Sequence, residues 1–206
     1  MRELKRLNRK LIYGICIAVI GLLILGGCSQ SANKSISERV DLYYKKFEPL
    51  NNGELKILAQ KPMDDKMLVL AKKYSGDGHA YTKLLLINKE QVIEKNAQGV
   101  MPLSMCFIAN KLDYENKTIV FGNFNNTKLD IKSNTKKPVE IQYIVVKFKN
   151  GEVIKEDVDK AYIIYSSTQS DLESIELYNA DGQLQSDLNE IGNVENAEFV
   201  DVNLRT

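Results

Sequence analysis

The chain has no tryptophan, four prolines and a single histidine, His79. One imidazole leaves no partner for a two-histidine zinc site, so the common catalytic zinc constellations are excluded and only a carboxylate site would remain for a metal. No Gly-x-Ser-x-Gly elbow accompanies any serine, which removes the usual setting of a serine nucleophile activated by His79. No glycine-rich phosphate loop follows a strand pattern, which argues against nucleotide enzymes of the usual kinds. Basic and acidic residues are nearly balanced, at 28 and 27. There is thus no basic patch suited to nucleic acid or to anionic lipid.

What is present begins at the N-terminus. Met1 to Lys10 carries Arg2, Lys5, Arg6, Arg9 and Lys10 against one acid, Glu3, and an uncharged apolar run follows from Leu11 to Leu25. These are the charged and apolar regions of an export signal. As a helix the run would measure roughly 22 Å, short of the roughly 30 Å hydrocarbon core that a permanent span must cross. A removed signal therefore fits better than an uncleaved anchor from Leu11 to Gly27.

The run ends in Leu25-Gly26-Gly27-Cys28. This resembles the lipobox of bacterial lipoproteins, and every position is matched. The resemblance implies that the Cys28 thiol receives a diacylglyceryl group and that a signal peptidase cuts between Gly27 and Cys28. It places the mature chain on the extracytoplasmic face of the cell membrane. Two acyl chains hold a protein where one only visits, since each buried CH₂ contributes about 0.8 kcal/mol. The abundance of Lys, Asn and Ile also resembles uncharacterised lipoproteins of low-GC Gram-positive bacteria, a likeness of texture that carries no activity across.

Loss of residues 1–27 would leave 179 residues with 23 basic and 26 acidic side chains, because five basic residues and Glu3 leave with the signal. The exported body would be slightly acidic and long enough to bury a substantial core. Cys16 would leave with the signal and Cys28 would carry lipid. Cys106 is then the one remaining thiol, unable to form an internal disulfide. Its setting, Leu103-Ser104-Met105-Cys106-Phe107-Ile108, reads as inert packing rather than a nucleophile.

The expected fold is mainly β, of α+β type: an antiparallel meander and sandwich-like sheets with one N-terminal amphipathic helix. A lipidated cysteine and tether span 28–34. Ser35 and Glu38 form a capping box, and Ile36, Val40, Tyr43 and Phe47 fall on one face of a helix over 36–48. Residues 35–124 hold this helix and a meander, whose strands are Leu55–Gln60, Met67–Tyr74, His79–Asn88, Gln91–Lys95, Met105–Ala109 and Lys117–Phe124. Turns are expected at Gly76-Asp77-Gly78, Asn88-Lys89-Glu90 and Glu115-Asn116.

The polar stretch 125–137 reads as a linker, and 138–206 as a sandwich-like part. Within it, Val139–Lys149 is apolar on both sides, the mark of a central covered strand. Asn150-Gly151 suggests a type I′ hairpin into Glu152–Lys155. Ala161–Ser166 and Leu172–Tyr178 read as strands, Ser186–Ile191 as a helical turn and Glu198–Leu204 as a closing strand.

Few residues invite a chemical role. Leu177 to Leu188 has Asn179, Asp181 and Gly182 where a calcium loop has ligands and its glycine, but leucine stands at the first and twelfth positions. An Asp-Gly turn explains the same residues. Asp64 with Asp65, Asp157 with Asp159, and Glu173 with Glu176 approach the paired carboxylates of glycoside hydrolysis only in sequence. Nine tyrosines follow Cys28 and suit strand packing or a contact surface.

No catalytic residue, cofactor or metal is assigned. The expected function is a non-enzymatic binding or interaction module at the cell envelope, engaging an envelope component or an integral-membrane protein and no nucleic acid. The alternatives are a carboxylate-dependent hydrolase of wall polymers and a lipoprotein that binds a small solute.

Overall fold

The computed structural model describes residues 34–47, 53–74, 80–88, 92–97, 106–130, 132–191 and 194–196. The lipobox, its cysteine and the preceding apolar run lie outside them, as do His79, Gly76-Asp77-Gly78 and the strand expected at Glu198–Leu204. Two compact units, 1–40 and 41–206, divide within the first described helix, α1 (Ile36–Phe47). In the first unit, Ser35 N–H donates to Glu38 Oε2 at 2.7 Å and Glu38 N–H to Ser35 Oγ at 3.3 Å. This reciprocal box satisfies two of the donors that a helix start leaves open.

The second unit is mainly β. Its first sheet is a meander in chain order: β1 (Leu55–Met63), β2 (Lys66–Tyr74), β3 (Ala80–Ile87) and β4 (Val92–Ala97), all antiparallel. Leu68, Leu70, Leu84 and Leu86 form one buried face, while Val69, Ala71, Leu85 and Ile87 are buried on the opposite one. On that opposite face the ammoniums of Lys73 and Lys83 stand 5.1 and 6.0 Å from the ring centroid of Tyr44. Their stems bury against the sheet while the charges meet the aromatic ring.

The second sheet has the order β11 (Ala161–Tyr165), β6 (Lys117–Asn123), β5 (Asn110–Tyr114), β14 (Glu195–Asn196), with the last pair parallel. It is the middle layer. Leu112, Ile119, Phe121 and Ile163 pack with the leucines of the first sheet. Val120, Tyr162 and Ile164 point the other way, into a core with Ile144, Val146, Phe148, Ile175 and Leu177. The period-two alternation of strands thus serves two cores at once. Thr118 to Gly122 are buried without a break, the pattern of a strand covered on both faces.

The third sheet contributes the far side of that second core. Its order is β10 (Val153–Asp157), β9 (Tyr143–Phe148), β12 (Leu172–Tyr178), β13 (Leu184–Asp187). A single helical turn, α2 (Leu188–Ile191), follows β13.

Several expectations are corrected. The meander ends with β4, because β5 and β6 leave it for the middle sheet. Met105–Ala109 does not form a strand in its described part: Phe107 makes one isolated bridge to Phe124, and the strand before the Glu115-Asn116 turn is β5. A two-residue turn demands that the strand abut it, and Tyr114 pairs directly with Lys117. The stretch 125–137 carries a hairpin of its own, β7 (Thr127–Asp130) with β8 (Thr135–Pro138), and the chain beyond it returns to place β11 beside β6. It lies between two strands, β6 and β11, that pair in one sheet.

β9 begins only at Tyr143 and is covered on one face, with Ile144, Val146 and Phe148 buried but Tyr143, Val145 and Lys147 half-buried. The uncovered face is held by its own side chains. Tyr143 stacks on Tyr178 with centroids 5.0 Å apart, and Lys155 Nζ lies 3.7 Å from the Tyr143 ring centroid. The Asn150-Gly151 turn is not type I′, since only Gly151 has positive φ, at 87°. Gly151 N–H donates to Phe148 O at 2.9 Å and Phe148 N–H to Glu152 O at 2.9 Å, so a three-residue loop with a left-handed glycine closes the hairpin. The type I′ backbone occurs at Glu115 and Asn116, with φ of 46° and 64°.

Candidate functional site

The residues singled out in the sequence do not converge. Asp64 closes the β1–β2 turn and pairs with Lys117 at 3.3 Å; Asp65 lies 3.9 Å from Lys66. Asp159 lies beside Lys160 at 3.8 Å, and Glu176 accepts from Lys147 at 2.7 Å and from Tyr178 Oη at 2.7 Å. Lys147, then Tyr178, hold the Glu176 carboxyl below its ordinary range. These acids face lysines rather than one another.

Asn179-Ala180-Asp181-Gly182 is a hairpin turn between β12 and β13. Asn179 Oδ1 accepts from Gln183 N–H at 2.8 Å, and Gly182 has φ of 75°. Among the described residues no group of three or more His, Cys, Asp or Glu side chains could hold a metal ion. No described helix is long and apolar enough to cross a membrane.

Cys106 is buried in the core between the middle and third sheets. Burial pushes its thiol up, opposed by a hydrogen bond with Ser186. Ser186 Oγ donates to Glu190 Oε2, and Lys128 Nζ donates to Glu190 Oε1 at 2.6 Å and to Gln185 O at 3.3 Å. Glu190 N–H donates to Asp187 Oδ1 at 3.1 Å, which caps α2. A helix of one turn has little stability of its own. These contacts fix where it projects its other residues.

One of those projections forms a site the sequence does not announce. A cleft of about 570 Å³ is lined by Lys111, Lys149, Asp171, Leu172, Leu188, Asn189 and Val194. β5 brings Lys111, the loop after β9 brings Lys149, the start of β12 brings Asp171 and Leu172, α2 brings Leu188 and Asn189, and Val194 precedes β14. Leu172, Leu188 and Val194 are half-buried and rest on the core between the middle and third sheets.

The charges lie together in this cleft. Lys111 Nζ donates to Asp171 Oδ1 at 3.4 Å and Lys149 Nζ to Asp171 Oδ2 at 3.3 Å. Lys149, then Lys111, hold the Asp171 carboxyl below its ordinary range. Lys111 also lies 3.9 Å from Asp113, whose Oδ1 accepts from Thr118 Oγ1 at 2.7 Å. The Asp171 and Lys149 side chains are each 64% exposed, whereas Lys111 is 17% exposed. The Lys149–Asp171 pair is exposed on both sides and therefore weak, so a ligand can exchange with it at small cost. Chemically the cleft combines two ammoniums, one carboxylate and one amide with an apolar wall.

No protein family, curated protein or solved structure matches the chain.

Proposed function

We propose that the protein is a lipoprotein of the bacterial cell envelope, held through lipid on Cys28 at the extracytoplasmic face, and that it acts there as a non-enzymatic binding module. Leu25-Gly26-Gly27-Cys28, directly after the apolar run Leu11–Leu25, supports the anchor. The binding role rests on the cleft around Asp171, where polar groups converge beside apolar side chains in a volume typical of ligand sites. In this reading the mature chain is a sandwich-like β body with one N-terminal amphipathic helix, close to the membrane because residues 29–34 span at most about 20 Å. A partner is an envelope component or an integral-membrane protein.

A photoreactive residue placed at Asn189 in intact cells tests both parts. An envelope-derived adduct is expected that disappears when Cys28→Ser blocks maturation and is not formed from the same residue at Lys160. Equal adducts from both positions, or none from Asn189, would refute the binding role.

A further inference from the structure

We infer that the lysine-rich end of the first sheet is a docking surface for anionic phospholipid headgroups, which lays the tethered body against the bilayer in one orientation. The inference rests on the anchor proposed above, not on the cleft. Lys56 and Lys72 stand directly opposite each other on β1 and β2, and both ammoniums face one ring, that of Tyr74, at 5.6 and 5.2 Å from its centroid. Like charges in that relation repel. On the other face of the same end Lys73 and Lys83 share the Tyr44 ring, and Lys45 and Lys46 follow Tyr44 in α1.

Elsewhere in the second unit several strand lysines meet acids: Lys61 meets Glu156, Lys66 meets Glu115 and Lys117 meets Asp64. At this end Asp41 answers Lys45 and Glu54 answers Lys56, while Lys46, Lys72 and Lys73 have rings beside them and no ion pair with a described acid. The sequence carries the same separation. Residues 41–56 and 71–83 hold six lysines against four acids, Glu48 and Asp77 included, whereas the rest of the second unit holds 15 basic and 21 acidic residues. The near balance of the whole chain conceals this. An anionic surface attracts the lysine-rich end and repels the remainder.

The occupant follows from reach. A leash of at most about 20 Å and an α1 of about 18 Å separate Cys28 from this end, so headgroups are the anions held against it at high effective concentration. Each lysine brought to an anionic surface contributes roughly a factor of five.

The test reconstitutes the mature lipidated chain on vesicles of phosphatidylcholine, with or without phosphatidylglycerol, and maps its lysines by acetylation and mass spectrometry. Lys45, Lys46, Lys56 and Lys72 should react about fivefold more slowly on the anionic vesicles, and high salt should remove the difference. Lys66, about 20 Å from Lys72 along β2, and Lys117, paired with Asp64 in the turn beside it, should keep their rates, because screening acts within about 8 Å. The double variant Lys46→Gln, Lys72→Gln should return Lys45 and Lys56 most of the way to the phosphatidylcholine rate.

Equal rates on both vesicles, slowing that includes Lys66 and Lys117, or slowing that survives high salt overturns the inference. The wild-type comparison needs no variant, so misfolding cannot hide the answer. Flotation reads the anchor separately. A chain that floats with phosphatidylcholine but shows equal rates keeps the anchor and loses the docking surface, and a chain that does not float loses both.

Discussion

The hydroxyl of Tyr162 donates to the main-chain carbonyl of Ile108 at 2.9 Å, while its ring stacks on Phe124 with centroids 5.3 Å apart. Tyr162 belongs to β11 and Ile108 to the segment entering β5, so this bond ties two stretches of the middle sheet that lie 54 residues apart. Burial pushes the phenol well above its ordinary range, and it remains a donor throughout the working pH range. Tyr162→Phe keeps the ring but strands the carbonyl. A loss of about 1–2 kcal/mol in urea unfolding is expected, with little change in the slope of the transition.

Two glycines should respond differently to alanine. At Gly122 a Cβ would stand 1.9 Å from the Ile108 carbonyl oxygen, and that oxygen is main chain in a packed sheet. Gly122→Ala should cost at least about 3 kcal/mol. Gly151 has open space around it but φ of 87°, so Gly151→Ala should cost only about 1 kcal/mol, from backbone strain. Equal losses in thermal unfolding would show that the close approach of β6 to Ile108 is wrong.

Asp130 gives the β7–β8 hairpin an acid limit. Lys137 Nζ at 2.6 Å, then the N–H of Ser133, hold its carboxyl down from 3.8 to about 2. A carboxyl depressed by folding stabilises fully above its unfolded value, and that contribution is lost as pH falls through the folded one. The stability difference between wild type and Asp130→Asn should therefore be level above about pH 5, shrink as pH falls through about 2, and be lost only below that. A difference that grows on acidification would contradict the geometry of the turn.

Cys106 should be silent until the protein opens. Its side chain is 1% exposed and its thiol is pushed up by burial, so little reactive thiolate reaches solvent. Iodoacetamide at neutral pH should leave the Cys106 peptide unlabelled in the native chain and label it fully in guanidinium. Rapid native labelling would mean that the core joining the middle and third sheets is open at this point.

Local pattern told much of the fold and little of how its layers assemble. Ser35 and Glu38 announced a helix start because capping is local chemistry, and Asp181-Gly182 announced a hairpin for the same reason. Ile119-Val120-Phe121 and Ala161 to Ile164 are short apolar runs that mark strands, but period alone cannot say that the two strands pair with each other across about 40 residues. The apolar residues of Val139–Lys149 suggested a strand covered on both sides. The uncovered side is instead sheltered by Lys155 and Tyr178, a cation and a ring brought in from neighbouring strands.

The candidate cleft was not legible at all. Lys111, Lys149 and Asp171 come from three separate stretches and are common residue types, and only β5, β9 and β12 bring their charges together. Nothing in spacing distinguishes them from the other lysines and acids of a solvated surface.

The anchor is the premise of the proposed role, and the mass of the N-terminal peptide of membrane-derived protein tests it most directly. A fragment beginning at Cys28 and carrying the mass of a diacylglyceryl group is the expected result. A fragment beginning at Met1 with an unmodified Cys28 would contradict the anchor, and with it the location proposed for the cleft.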